Sequence, residues 1–167
     1  MNACFIGHRT IEKTESLVFL LRETIITLIN SGVATFLFGS MSNFDKLSWE
    51  IVTELQREYP HIKRIYVRSI YPTIDKFYEE YILKFYEDSY FPPRIKNAGK
   101  YSYVERNYEM IKNSTYCIFY YNKNYIPISK KQPKNDMVLQ KTRKSGTKIA
   151  YEYAVKKKKI IINLYKD

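Results

Sequence analysis

The segment Ala3-Cys4-Phe5-Ile6-Gly7-His8-Arg9 decides how the rest of the chain is read. Ala3 to Ile6 is apolar throughout, long enough for a buried strand and too short for a helix. It breaks at Gly7, where glycine lets the backbone turn sharply and leaves room beside it. His8 and Arg9 then stand at the carboxyl end of a strand, the place where open α/β sheets receive their ligands.

Downstream, apolar strand-like runs alternate with helical periodicities. Thr14 to Ser31 reads as an amphipathic helix, with Leu17, Leu20, Leu21, Thr24, Ile25, Leu28 and Ile29 on one face and Gly32 at the stop position. Ala34 to Phe38 is a second strand, ending in Gly39-Ser40. Asn43 caps the next helix, whose stripe is Phe44, Leu47, Ile51, Val52 and Leu55. Ile62 to Val67 is a third strand.

Pro72 to Asp88 reads as a tyrosine-rich helix. Ile74, Phe77, Tyr78, Tyr81, Ile82 and Phe85 recur every three or four residues, a stripe expected to be core. Val104 to Asn113 is a further helix, Thr115 to Tyr121 a fourth strand, Gly146 to Lys157 the last helix and Lys159 to Leu164 the last strand.

This alternation predicts an α/β fold: a Rossmann-like three-layer sandwich with a mostly parallel five-stranded sheet in the order 3-2-1-4-5. The cleft then lies between the first and fourth strands, beside whatever follows Tyr121. The 167 residues are expected to form one domain. A basic stretch from 122 to 144, with seven Lys/Arg against one Asp, interrupts it. Its length exceeds that of an ordinary α/β connection, and it is read as a lid over a polyanionic ligand.

Composition bounds the function. Apolar residues make up 45% and aromatics 16%, a globular balance. The two cysteines, Cys4 and Cys117, fall inside strand-like runs and read as buried thiols in a reducing compartment. Two scattered histidines and two cysteines give no metal-ligand spacing, so no metal and no cofactor are expected. No signal-peptide pattern and no membrane-length apolar run occur, so a cytoplasmic protein without membrane contact is expected. The net charge of +11 is uneven: residues 1–93 carry 10 Lys/Arg against 12 Asp/Glu, residues 94–167 carry 18 against 5. This asymmetry points to an anionic partner, either a phosphorylated small molecule or nucleic acid.

Four polar turns are expected to share the ligand edge. The first is Gly7-His8-Arg9. The second is Gly39-Ser40 with Asn43 and Asp45, a glycine turn opening a helix and so offering N–H groups to an anion. The third is Glu105-Arg106-Asn107 in the first turn of its helix, where the arginine would clamp a phosphate or carboxylate. The fourth is Ser145-Gly146-Thr147, small residues with free amides at a helix start.

These segments, with Met110 and Tyr151-Glu152-Tyr153-Ala154, resemble the YpsA-like branch of the SLOG superfamily, which includes the Smf/DprA proteins and the lonely-guy phosphoribohydrolases. The resemblance runs from residue 3 to about 163. It implies a Rossmann-like fold that binds nucleotides or nucleotide-derived ligands at this cleft, and relatives that self-associate as homodimers or larger homo-oligomers. The sequence departs from it in two places. Phe38-Gly39-Ser40-Met41-Ser42 is poorer in glycine than the usual second motif. Lonely-guy enzymes place a catalytic glutamate three residues after the Gly-Thr threonine, where this chain has Ala150; Arg106 matches their arginine. Glu152, five residues after Thr147, is on another side of the helix, turned roughly 500° against 300°.

Three functions are therefore weighed. The first is a sensor or sequestering protein for a nucleotide-derived small molecule, with Arg9, Arg106 and the Gly146/Thr147 amides on phosphates and His8, Tyr101 or Tyr103 stacked on a base. The second is a nucleotide N-glycosidase with Glu105 or Asp45 as the working carboxylate. The third is single-stranded nucleic-acid binding through the basic half and its tyrosines.

Overall fold

A computed structural model describes residues 1–39, 42–96, 99–125 and 144–166. Ser40 and most of the basic stretch read as a lid (126–143) lie outside the described residues. Among the described residues six strands, β1 (Asn2–Gly7), β2 (Thr35–Phe38), β3 (Lys63–Val67), β4 (Asp88–Tyr90), β5 (Tyr116–Tyr120) and β6 (Ile160–Asn163), form one sheet in the order β4-β3-β2-β1-β5-β6. Every pairing is parallel. The helices are α1 (Glu15–Asn30), α2 (Asn43–Leu55), α3 (Lys76–Leu83), α4 (Lys100–Lys112) and α5 (Gly146–Lys156).

Strand alternation builds the two cores. Ala3, Phe5, Phe36 and Phe38 face α1 and α2, meeting Leu21, Ile25, Phe44 and Ile51. Cys4, Ile6, Leu37, Cys117 and Phe119 face the other way, meeting Met110 and Ile111 of α4 and Ala150 and Ala154 of α5. Both cysteines are buried as expected, and Cys4 pairs with Cys117 across β1 and β5. Thr14 caps α1, its side chain accepting from Leu17 N at 3.2 Å, but α2 is capped by Ser42, whose side chain accepts from Asp45 N at 3.0 Å; Asn43, the expected cap, is already the first helical residue.

The order 3-2-1-4-5 holds for the five expected strands; β4 is added at the edge beside β3. Its three residues, Asp88-Ser89-Tyr90, carry no apolar alternation for a pattern to detect. They are held by Arg64, whose backbone N–H donates to Glu87 Oε2 at 2.5 Å and whose guanidinium pairs with Oε1 at 2.6 Å.

The tyrosine-rich helix is shorter than expected and is not core. Asp75 caps it, accepting from Tyr78 N at 2.7 Å, and only Ile82 within it is buried. Phe77 is 81% exposed, Tyr81 51% and Phe85 40%. Of the sheet's strands α3 packs mainly on short β4, beyond the broad sheet faces, so no layer covers its stripe.

Candidate functional site

β1 and β5 end together: Gly7 pairs with Tyr120, and His8 N–H donates to the Tyr120 carbonyl at 3.3 Å. From there the chain leaves to α1 on one face and towards α5 on the other, which opens a crevice at the carboxyl edge.

Gly7 is required by packing. A Cβ there would lie 2.5 Å from Phe44 Cβ, so the first turn of α2 occupies the space that the sequence reading left for a ligand. The Arg9 carbonyl accepts from Asn43 N–H at 2.9 Å, which fastens α2 to the end of β1, while the Arg9 residue is exposed.

His8 is buried. Its Nε2 lies 2.9 Å from the Asn122 backbone nitrogen and 3.3 Å from the Asn122 carbonyl oxygen, so the backbone of Asn122 holds the ring in place. Burial lowers its pKa, which the contact with the Asn122 backbone only partly offsets. Tyr125 stacks on the ring at 3.8 Å and 17°. His8 thus pins the segment leaving β5, and Tyr125 takes the ring face that a base was expected to use.

Gly39, Asp45, Arg106 and Asn107 form one cluster. Gly39 N–H donates to Asp45 Oδ1 at 3.4 Å, and Arg106 Nη1 donates to the Gly39 carbonyl. Arg106 Nη2 donates to Asn107 Oδ1 at 3.0 Å, and its guanidinium lies over the Tyr103 ring at 5.5 Å. Burial disfavours the charged guanidinium and lowers its pKa, while Asp45 and Tyr66 act in the opposite sense. At 7% exposure, Arg106 is a brace under Gly39 at the end of β2. It also sits mid-helix, not in the first turn, because α4 starts at Lys100 behind Gly99, whose φ of 72° and lack of a capping side chain hide that boundary from sequence.

At α5, the Ser145 side chain accepts from Lys148 N at 3.1 Å. Gly146 is exposed, with no heavy atom of the described residues within 4 Å of a would-be Cβ, and Thr147 is buried. Thr147 shares a helix face with Tyr151 one turn on. Tyr151 stacks on Tyr121 at 4.5 Å, and the Tyr121 ring lies 6.0 Å from His8. The aromatic chain ties the start of α5 to the end of β1.

The two candidate carboxylates lie in different surroundings. Glu105 accepts from Lys96 N–H at 3.1 Å, on the loop before α4, whereas Asp45 faces Gly39 and Arg106. Glu152 takes the ammonium of Lys144 at 2.7 Å. Among the described residues no group of three His, Cys, Asp or Glu is placed to hold a metal, and no helix is long and apolar enough to cross a membrane.

The sequence reading missed a cavity at the carboxyl ends of β2 and β3, of about 620 Å³, walled by residues of α2, α3 and β3. Part of its signal was present as the tyrosine stripe, which was assigned to core.

No family model and no curated protein matches the chain. Among solved structures it is similar to DNA processing protein A from Helicobacter pylori, described for its unique single-stranded DNA binding mode, with 19% identity and a TM-score of 0.54. The match covers 96% of this chain and 63% of that one, so this chain spans less than two thirds of that protein's length. At this identity the likeness is one of fold.

Proposed function

We propose that the chain binds a nucleotide or nucleotide-derived small molecule at the carboxyl edge of its sheet, as a sensor or sequestering protein. The observation that carries this reading is the convergence of the α2 and α5 starts on the crevice where β1 and β5 part. The Gly146 and Thr147 amides and exposed Arg9 would meet the phosphate. Arg106 would act through Gly39, holding the end of β2. Binding without cleavage is favoured because Ala150 stands where the lonely-guy enzymes have their catalytic glutamate, and Asp45 is engaged by Gly39 N–H and buried Arg106.

On this reading the chain is a single SLOG-like domain with a basic insertion, nearest the YpsA-like branch and working in the cytoplasm as a homodimer or larger homo-oligomer. A second reading, single-stranded nucleic-acid binding, is favoured by the fold neighbour's ligand and by the excess of Lys/Arg after residue 93.

Gly146→Asp tests the first reading. The new carboxylate enters open space and suits a helix start, so the fold is retained, but it repels an anion. Calorimetric titration with nucleoside monophosphates and cyclic or ADP-ribose-type nucleotides should show binding that falls at least tenfold in this variant. Unchanged ligand recovered after heating supports sequestration. Binding of an oligothymidylate that survives Arg106→Ala and falls steeply with salt, with no mononucleotide affinity, would favour the second reading.

A further inference from the structure

The cavity between α2 and α3 measures about 620 Å³ and is walled by Trp49, Tyr66, Tyr78, Tyr81, Phe85 and Tyr86, with Asp45 also lining it. That volume is in the range of small-molecule sites. Its rings brace one another. Trp49 Nε1–H donates to the Phe85 carbonyl at 3.1 Å, and the indole meets Phe85 and Tyr86 edge-on, each at 6.3 Å. Tyr66 stacks on Tyr86 at 5.3 Å, and Tyr81 meets Phe85 at 5.4 Å. Tyr81 stays half exposed, which leaves a face of its ring accessible at the cavity wall.

The cavity borders the end of β2: Asp45 lines it and also accepts from Gly39 N–H, the residue whose carbonyl Arg106 holds. Four of the six rings are tyrosines, so the walls offer flat apolar faces together with hydroxyl groups. A hydrocarbon ligand would strand those hydroxyls, whereas a planar heterocycle stacks on the faces and presents polar edges to the oxygens.

We propose that this cavity is a base-stacking subsite, taking the nucleobase of a ligand whose phosphate sits at the carboxyl edge. The proposal rests on the binding reading above and gives it a second contact. Stacking on rings tolerates any base, so selectivity would come from the polar edges.

Trp49 is the sole tryptophan, which makes its emission a reporter of this cavity. Adenosine, guanosine, cytidine and thymidine, all without phosphate, should be titrated against the intact chain, with inorganic phosphate as a separate probe. At least one nucleoside should quench Trp49 saturably, and phosphate alone should not. Tyr81→Ala should weaken nucleoside binding about tenfold or more, and Tyr81→Phe should restore it. Absence of saturable quenching by all four nucleosides, or equal affinity in Tyr81→Ala, would overturn the proposal. So would a Trp49 response to protein concentration alone, which would mean that a second copy fills the cavity. If nucleotides bind in a Gly146-dependent way with no response at Trp49, the cavity proposal fails and the edge reading stands. If nucleosides quench Trp49 while Gly146→Asp leaves nucleotide affinity unchanged, the edge reading fails and the cavity proposal stands.

Discussion

The guanidinium of Arg106 occupies the space that a side chain at residue 39 would need: a Cβ on Gly39 would lie 2.6 Å from Arg106 Cζ. The two residues are far apart in sequence, yet one exists in its present form because of the other. Arg106 satisfies the Gly39 carbonyl at the end of β2, and the missing side chain lets it come that close.

Gly39→Ala should therefore act through Arg106. We expect a loss of about 1–3 kcal/mol from overpacking. In an Arg106→Ala background the same substitution should cost a fraction of that, because the clashing group is gone. Urea denaturation midpoints of the four proteins close the cycle; strict additivity would break the assignment.

Three glycines of the candidate site should answer alanine differently. At Gly7 the obstacle is Phe44 Cβ at 2.5 Å, so Gly7→Ala should stay costly, by about 1–3 kcal/mol, even with Phe44→Leu. At Gly146 the space is open, and alanine should be neutral or stabilise by about 0.4–1 kcal/mol. Thermal unfolding of the single and double variants distinguishes them, and Gly39→Ala should be rescued only by truncating Arg106.

His8 gives a pH signature. Burial holds its folded pKa below the ordinary value near 6.5, so as pH falls the unfolded chain takes up the proton first. Stability contributed by the neutral ring is present above about pH 6.5 and is lost as pH drops towards the folded pKa. His8→Gln should flatten the difference in denaturation midpoint between pH 7.5 and pH 5.5. Nitrogen NMR at pH 7.5 should find the His8 ring neutral, in keeping with the lowering of its pKa by burial.

The strand order could be read from alternation alone, because β1, β2, β3, β5 and β6 each carry an apolar run. β4 could not, since polar Asp88-Ser89-Tyr90 is a strand only because the edge of β3 and the Arg64–Glu87 pair hold it there. The stripe of α3 shows the limit of periodicity. Tyr78, Tyr81, Ile82 and Phe85 do share a face, but spacing says nothing of whether a sheet lies beneath it. At the site, the sequence shows that Gly7, Gly39 and Arg106 matter without showing to what. Phe44 and the arginine itself fill the room the two glycines leave, and neither contact has a local signature.

Hydrolysis should be absent. Prolonged incubation with nucleoside monophosphates should release no free base by mass analysis. Glu105→Gln should leave ligand affinity unchanged. Asp45→Asn should cost about 1–3 kcal/mol of stability, because it weakens the anionic partner of Gly39 N–H and of buried Arg106. Base release abolished by either substitution would restore the enzyme reading.

The most direct measurement is an amide NMR titration with a nucleoside monophosphate that binds in calorimetry. The account predicts that the largest shifts fall at the carboxyl edge, on Arg9, Gly39, Gly146 and Thr147, and that Gly146→Asp suppresses them. Shifts centred instead on the opposite edge, around the lysine-lined cavity of Lys112 and Lys157 to Lys159, would contradict it.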